Sequence, residues 1–537
     1  MQEQPETMTA SEHTTVTSDE VRRHLRDGTE IALIDLREEG PFAAAHPLFA
    51  VNLPLGRIEE RVAGLIPRKD ALIVLYDDGE GRVARARPLL RALGYTHVAA
   101  LAGGLDGWRR SGGEIFIDVN VPSKSFGELV EHVRHTPSIP ARELHDRIAR
   151  GDDLVILDAR RFVEYNVMSI PGGRSVPGAE LALRVRDIAP SPETTVVVNC
   201  AGRTRSIIGT QSLINAGIPN PVMALRNGTI GWTLEGLTLD RGAARTAGDV
   251  SAENAAVARA KAADLAVRTG VRVLDAAGLQ ALLADVGRSV YRLDVRGPDE
   301  YARDHLAGFR SAPGGQLVQA TDEWVGVRHG TIVLTDDDGV RARMTAHWLR
   351  QLGWREVYVL DDWSTLPRES GPDPVLLARP LPEVETIAAD AVSDAVGSGA
   401  WLIDLATSPE HRKGHVPGAR FAIRSDLDGH PGLETVRDVI LTAPDGIAAH
   451  LAAPELARDG RRVRVLEGGT RGWQEAGRAL ETGLEAATAL SATDDVYKRP
   501  YEGTDNAAAA MQAYLDWEFG LVAQLERDGT HGFTVLT

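Results

Sequence analysis

The sequence predicts an α/β protein of four tandem copies of one domain, each a mainly parallel sheet flanked by helices, with an aromatic helical tail. Three observations carry that prediction. Short apolar runs of strand length alternate with helical patterns along the chain, as in βαβ units. One set of landmarks is written four times: an apolar strand ending in Asp, a second buried strand with a small loop after it, and a closing turn with Trp. Each copy spans about a hundred residues, which is a domain rather than a solenoid unit.

The first copy, residues 10–120, has Ile31-Ala-Leu-Ile-Asp35-Leu-Arg37, then Phe42, His46 and Asn52-Leu-Pro54. Its buried strand Ala71–Tyr76 runs into the loop Asp77-Asp-Gly-Glu-Gly-Arg82, and it closes with Gly103-Gly-Leu-Asp-Gly107-Trp108. The second, 130–240, has Leu154-Val-Ile-Leu-Asp158-Ala-Arg160, Glu164-Tyr165, Ile170-Pro-Gly-Gly and Val176-Pro177, and closes with Asn227-Gly-Thr-Ile-Gly231-Trp232. The third, 268–365, keeps Asp294, Arg296, Tyr301, His305 and the loop Asp336–Arg341, while its closing turn decays to Asp361-Asp362-Trp363. The fourth, 383–484, has Asp404-Leu-Ala406, His415, Ala443-Pro-Asp-Gly and Gly468-Gly-Thr-Arg-Gly472-Trp473. The glycines of that turn are read as structural, permitting a tight strand-to-helix reversal, and the tryptophans as core. Pro122-Ser-Lys-Ser opens a short bridge between the first two copies. The alanine-rich stretch 242–269 suits a connecting helix, and the proline-rich stretch 366–382 an extended linker. In the tail, 485–537, Tyr514, Trp517 and Leu521 fall at helical spacing. This predicts an amphipathic helix packed on another domain; covering of the Cys200 loop is the alternative.

Composition narrows the function. A net charge of −17 argues against nucleic acid, which needs a basic face. No apolar run approaches membrane-spanning length, and Met1-Gln-Glu-Gln-Pro-Glu-Thr lacks the basic start and apolar run of a signal peptide. The single cysteine excludes an internal disulfide and any CxxC metal site, which suits a reducing cytoplasm. No metal or other cofactor is called for: the Asp-rich loops of copies one and three lack the remaining oxygen ligands of a calcium loop. Self-association into a homo-oligomer is left open.

That cysteine lies in Val196-Val-Val-Asn-Cys200-Ala-Gly-Arg-Thr-Arg205-Ser206, where a buried strand stops and a helix opens. Backbone N–H groups lack partners there and the helix dipole is positive, so the thiolate, the nucleophilic form, is favoured. Arg203 and Arg205 flank the thiol, predicting a depressed pKa and a site for small anions. The bland alternative is a small buried hydrophobe.

The ensemble of Asp-x-Arg, Pro-Gly-Gly before Val-Pro, the cysteine loop and the Gly-Trp turn resembles rhodanese domains, in all four copies. The resemblance implies sulfur transfer through a cysteine persulfide. Cys200 attacks the outer sulfur of thiosulfate, a small anionic donor, and a thiol or cyanide acceptor then collects the sulfur. Arg203 and Arg205 draw in the donor, and the N–H groups of Ala201, Gly202, Arg203, Thr204, Arg205 and Ser206 cradle the sulfur anion. Asp158 and Arg160 support the loop by ion pairing. Two departures stand out. The family's glycine three residues after cysteine is Arg203 here, with Gly202 one place earlier. Copy two also has Met168-Ser169 where the others have His46, His305 and His415, so that histidine is read as packing. Asp77, Asp336 and Ala443 replace the nucleophile in the other copies, which are read as inactive scaffold, partner surface or lid. The alternatives are a donor that is itself a glutathione or protein persulfide, and a non-catalytic interaction protein. A dual-specificity phosphatase would need Cys-x5-Arg, one residue more than Cys200 to Arg205 provides.

Overall fold

The computed structural model describes residues 15–457, 460–485 and 487–537. The polar start, Met1 to Thr7, and residues 10–14 of the first expected span lie outside them. Each copy folds into a five-stranded, all-parallel sheet, and in all four the strands lie in the order first, fifth, fourth, second, third. In the second copy these are Ser138–Ile139, Leu154–Asp158, Arg174–Ser175, Thr195–Asn199 and Val222–Leu225. The middle strand, Thr195–Asn199, is buried along its whole length. Its β-branched run, Thr195-Val-Val-Val198, fits a strand covered on both faces. The loop after it emerges at the carboxyl edge of the sheet, where ligands of open α/β sheets bind.

The turn residues follow the structural expectation. Trp108, Trp232 and Trp473 are buried, and each indole N–H donates to a carbonyl six residues on, of Glu114, Thr238 and Ala479. His46, His305 and His415 are also buried, stacked on Phe42, Tyr301 and His411.

The linkers bind the copies together more closely than expected. The bridge opened by Pro122 is a helix, Val121–Arg134, with the proline in its first turn, where its missing N–H costs nothing. Its Phe126 enters a core shared by the first domain (Ile58, Val62), the third (Leu317, Val327) and the tail (Leu521, Leu525). The alanine-rich linker forms the helix Ala252–Arg268, whose Ala258 and Leu265 pack with Val185 and Leu213 of the second domain and Met344 of the third. The linker after the third domain is extended, and its Arg368–Glu369 pairs antiparallel with His305–Leu306. The fourth domain has separate cores and meets the first through Arg424, which pairs with the buried Glu59 at 2.9 and 3.0 Å.

Candidate active site

Cys200 directly follows the middle strand, which ends at Asn199, and Thr204 begins the helix Thr204–Asn215, so four loop positions, 200–203, separate sheet from helix. Three things hold this loop. Beneath it, Asp158 and Arg160 form a fully buried bidentate pair, Nε to Oδ1 at 2.9 Å and Nη2 to Oδ2 at 2.6 Å. Asn199, next to the cysteine, donates to Asp158 Oδ2 at 3.1 Å, which ties the pair to the strand end. Copies one and three repeat the pair as Asp35–Arg37 and Asp294–Arg296; in copy four, where Ala406 replaces the arginine, His411 meets Asp404 at 2.8 Å.

Beside the loop, the N–H groups of Thr229 and Ile230 donate to the carbonyls of Cys200 and Ala201 at 2.9 Å. Gly228 makes that approach possible. Its φ is +53°, and a Cβ there would lie 2.3 Å from the Cys200 carbonyl oxygen and 2.8 Å from those of Ala201 and Gly202. Gly104 and Gly469 meet the carbonyls of Asp77 and Ala443 in the same way. The closing turn is therefore the brace of the loop, a role the spacing alone does not disclose.

Above the loop lies the C-terminal tail. The helix Ala507–Phe519 brings Tyr514 and Glu518 over Gly202, whose Cβ would sit 3.7 Å from Tyr514 Cε1 and 3.5 Å from Glu518 Oε2. The Phe519 ring stacks on the Arg203 guanidinium, 4.3 Å from its centroid. The tail thus does both things expected of it as alternatives: Trp517 and Leu521 pack on the core of other domains, and Tyr514, Glu518 and Phe519 cover the loop, where Cys200 is only 2 % exposed.

Both arginines are bound by carboxylates, and only Arg205 keeps its hold on the thiol. Arg203 turns away from the thiol to a buried bidentate pair with Glu128, at 2.7 and 2.9 Å, and donates to Asn227 Oδ1. Arg205 lies within electrostatic reach of Cys200, but its guanidinium is bound by Glu164 at 2.8 and 2.9 Å. Burial works against the charge of Glu164, yet Arg205, with Arg161 and Arg160, holds its carboxyl down at about 2. The sequence marks Glu164 only as a landmark of the second copy, with no part in the site. The signal was the pairing of Glu164 with Arg205 in copy two and of Glu300 with Arg341 in copy three, where the two side chains also bond at 2.7 and 3.1 Å.

With both cations neutralised, burial pushes the Cys200 thiol up, against the pull of Arg205, Ser206 and Arg160. This reverses the expected direction: the resting thiol keeps its proton. The Sγ lies 3.6 Å from Ser206 Oγ, and Ser206 in turn donates to the Arg203 carbonyl at 2.7 Å.

The sister loops show where the loop amides point. In copy one, Asp77 occupies the cysteine position, and its carboxylate accepts from the amides of Gly79 and Val83, both at 3.1 Å. In copy three, Asp336 accepts from Gly339 at 3.0 Å and Ala342 at 2.8 Å. By position these amides match Gly202, Arg203 and Ser206. In copies one and three a carboxyl of the chain itself fills the cradle these amides make, and in copy three burial and the neighbouring Asp338 still push the Asp336 carboxyl up to about 7.

Comparison with known proteins agrees with this architecture. The family model described as Rhodanese-like domain matches residues 17–111, 140–235, 275–362 and 388–476. The crystal structure of thiosulfate sulfurtransferase from Pseudomonas aeruginosa superposes with a TM-score of 0.94 at 51% sequence identity, covering 98% of this chain and 100% of that one. A thiosulfate sulfurtransferase of Pseudomonas aeruginosa is 31% identical over 217 residues, 33% of this chain and 79% of the relative. The thiosulfate sulfurtransferase PspE of Escherichia coli is 35% identical over 72 residues, 13% of this chain and 68% of the relative. With four matched domains on one repeated fold, the chain belongs to the rhodanese family of sulfurtransferases.

Proposed function

We propose that the protein moves a sulfane sulfur from thiosulfate to a nucleophilic acceptor through a persulfide on Cys200, with the second domain as its one reactive site. The thiol first loses its proton to solvent. The thiolate then attacks the outer sulfur of thiosulfate, and the donor's S–S bond breaks with its electron pair leaving on sulfite. Cyanide or a low-molecular thiolate next attacks the terminal sulfur; the new persulfide bond breaks and the thiolate of Cys200 is restored.

The observation that carries this reading is the carboxylate held by loop amides at Asp77 and Asp336. The same cradle around Cys200 suits a persulfide anion, which the amides of Gly202, Arg203 and Ser206 stabilise as they would an oxyanion. It also accounts for a thiol that burial holds protonated at rest: stabilisation is aimed at the charge that forms on the outer sulfur, not at the resting side chain. Arg205 offsets charge on the departing sulfite, and Asp158 with Arg160 keeps the strand end in place. The names of the similar proteins favour thiosulfate as donor. No described helix is long and apolar enough to cross a membrane.

Intact-mass measurement after exposure to thiosulfate tests the reading. One added sulfur should appear on the wild-type chain and map to the Cys200 peptide, and Cys200→Ser should take none while melting as the wild type does. Undiminished transfer by Cys200→Ser defeats the assignment.

A further inference from the structure

The tail places an acid over the reactive loop that none of the chemistry above uses. Glu518 lies on the inner face of the helix Ala507–Phe519 and is 1% exposed. Its Oε2 has no hydrogen-bond partner and stands 3.5 Å from the point a Cβ on Gly202 would occupy. A buried carboxyl oxygen left without a partner is costly, and natural proteins retain few such atoms. The tail also reaches the other side of the loop. Arg499 lies within electrostatic reach of Glu164 and Arg205, and Tyr501 meets Tyr514 edge to face. The loop is thus roofed from both ends by one segment, with the free oxygen of Glu518 facing its Gly202 apex.

We propose that Glu518 is a specificity-determining residue of the sulfur-transfer site: uncharged, it donates a hydrogen bond to a dianionic sulfane donor at the Cys200 loop, and charged, it repels that donor. The inference rests on sulfur transfer at Cys200. Every charged or titratable group around Glu518 bears on its state. Lys124 and Glu128 face it from the helix Val121–Arg134, Arg203 from the loop, Asp118 from the segment before that helix, and Tyr501 and Tyr514 from the tail. The cations are largely committed elsewhere, Lys124 to Asp118 at 2.7 Å and Arg203 to Glu128. Burial therefore prevails and pushes the Glu518 carboxyl up to about 8. At neutral pH the group is an acid with a proton to share, so a dianion meets a hydrogen-bond donor instead of a third negative charge.

The test compares two donors of different charge on the full chain. Thiosulfate is a dianion and an alkanethiosulfonate a monoanion, and both deliver their outer sulfur to the same thiolate. In the ratio of their kcat/KM values the ionisation of Cys200 cancels. The ratio should fall about tenfold as pH rises from about 6 to about 10, the cost of one more unit charge near the dianion. In Glu518→Gln, which cannot ionise, it should stay flat. A flat ratio in the wild type overturns the proposal, and so does a fall that persists in Glu518→Gln. The wild-type ratio decides alone if the variant does not fold. Sulfur loading by intact mass separates the two levels: no sulfur on Cys200 removes the transfer reading itself, whereas loading with a flat ratio removes only the role of Glu518.

Discussion

Among single residues, the pair Glu164–Arg205 controls the charge next to Cys200. A carboxyl held at about 2 in the folded state, against an ordinary 4.5, adds stability that is present above the ordinary value and is lost as pH falls through about 2. The shift amounts to about 3 kcal/mol. Thermal melts of wild type and Glu164→Gln should therefore differ at neutral pH and converge as pH falls from about 4.5 to about 2. The same variant leaves Arg205 without its counter-ion, so the Cys200 thiol should titrate at lower pH, read by thiolate absorbance. Arg205→Ala acts in the opposite sense. It strands the buried Glu164, costing about 3–5 kcal/mol, and should raise the KM for thiosulfate. Arg203→Ala should leave that KM much less changed, because its guanidinium serves Glu128 and Phe519.

At the scale of elements, the site is a strand, a loop, a helix and the closing turn that braces the loop. Two glycines test the brace. Gly228 has a left-handed φ and lies against three carbonyls of the loop, so Gly228→Ala should displace the loop, lower the melting temperature and abolish sulfur loading. Gly202 has no such φ, and a Cβ there meets only ordinary contacts at 3.5–3.8 Å. Gly202→Ala should fold as the wild type does and still take sulfur. If both variants behave alike under intact-mass and melting measurements, the turn is not the brace.

Over the whole molecule, four copies of one fold share a single cysteine, that of the second copy. The first and third share a core with the linker helix and the tail, so the tail that roofs the Cys200 loop is anchored on those two copies. The fourth domain depends more on polar contacts, centred on Arg424 with Glu59 and Glu455. Arg424→Ala leaves the fully buried Glu59 with Arg379 alone. Limited proteolysis of the linker 366–382 should then run about tenfold faster, while sulfur loading at Cys200 is unchanged.

Much of this was legible in the chain. Asp35, Asp158, Asp294 and Asp404, each at the end of an apolar run, marked the second strand of every sheet, because side-chain periodicity and burial are local properties. Cys200 stood out for the same reason, as the residue where a run of valines stops before a small, basic loop. The partners of its arginines were not legible. Glu128, Glu164 and Glu518 lie 36 to 318 positions from Cys200, and only packing decides which acid reaches which cation. The direction of the thiol's pKa went with them, since it depends on how much of that charge is neutralised and on how deeply the fold buries the sulfur. Sequence determined four α/β copies and a single cysteine; tertiary structure decided that cysteine's electrostatics, because charges act through space while composition counts them along a chain.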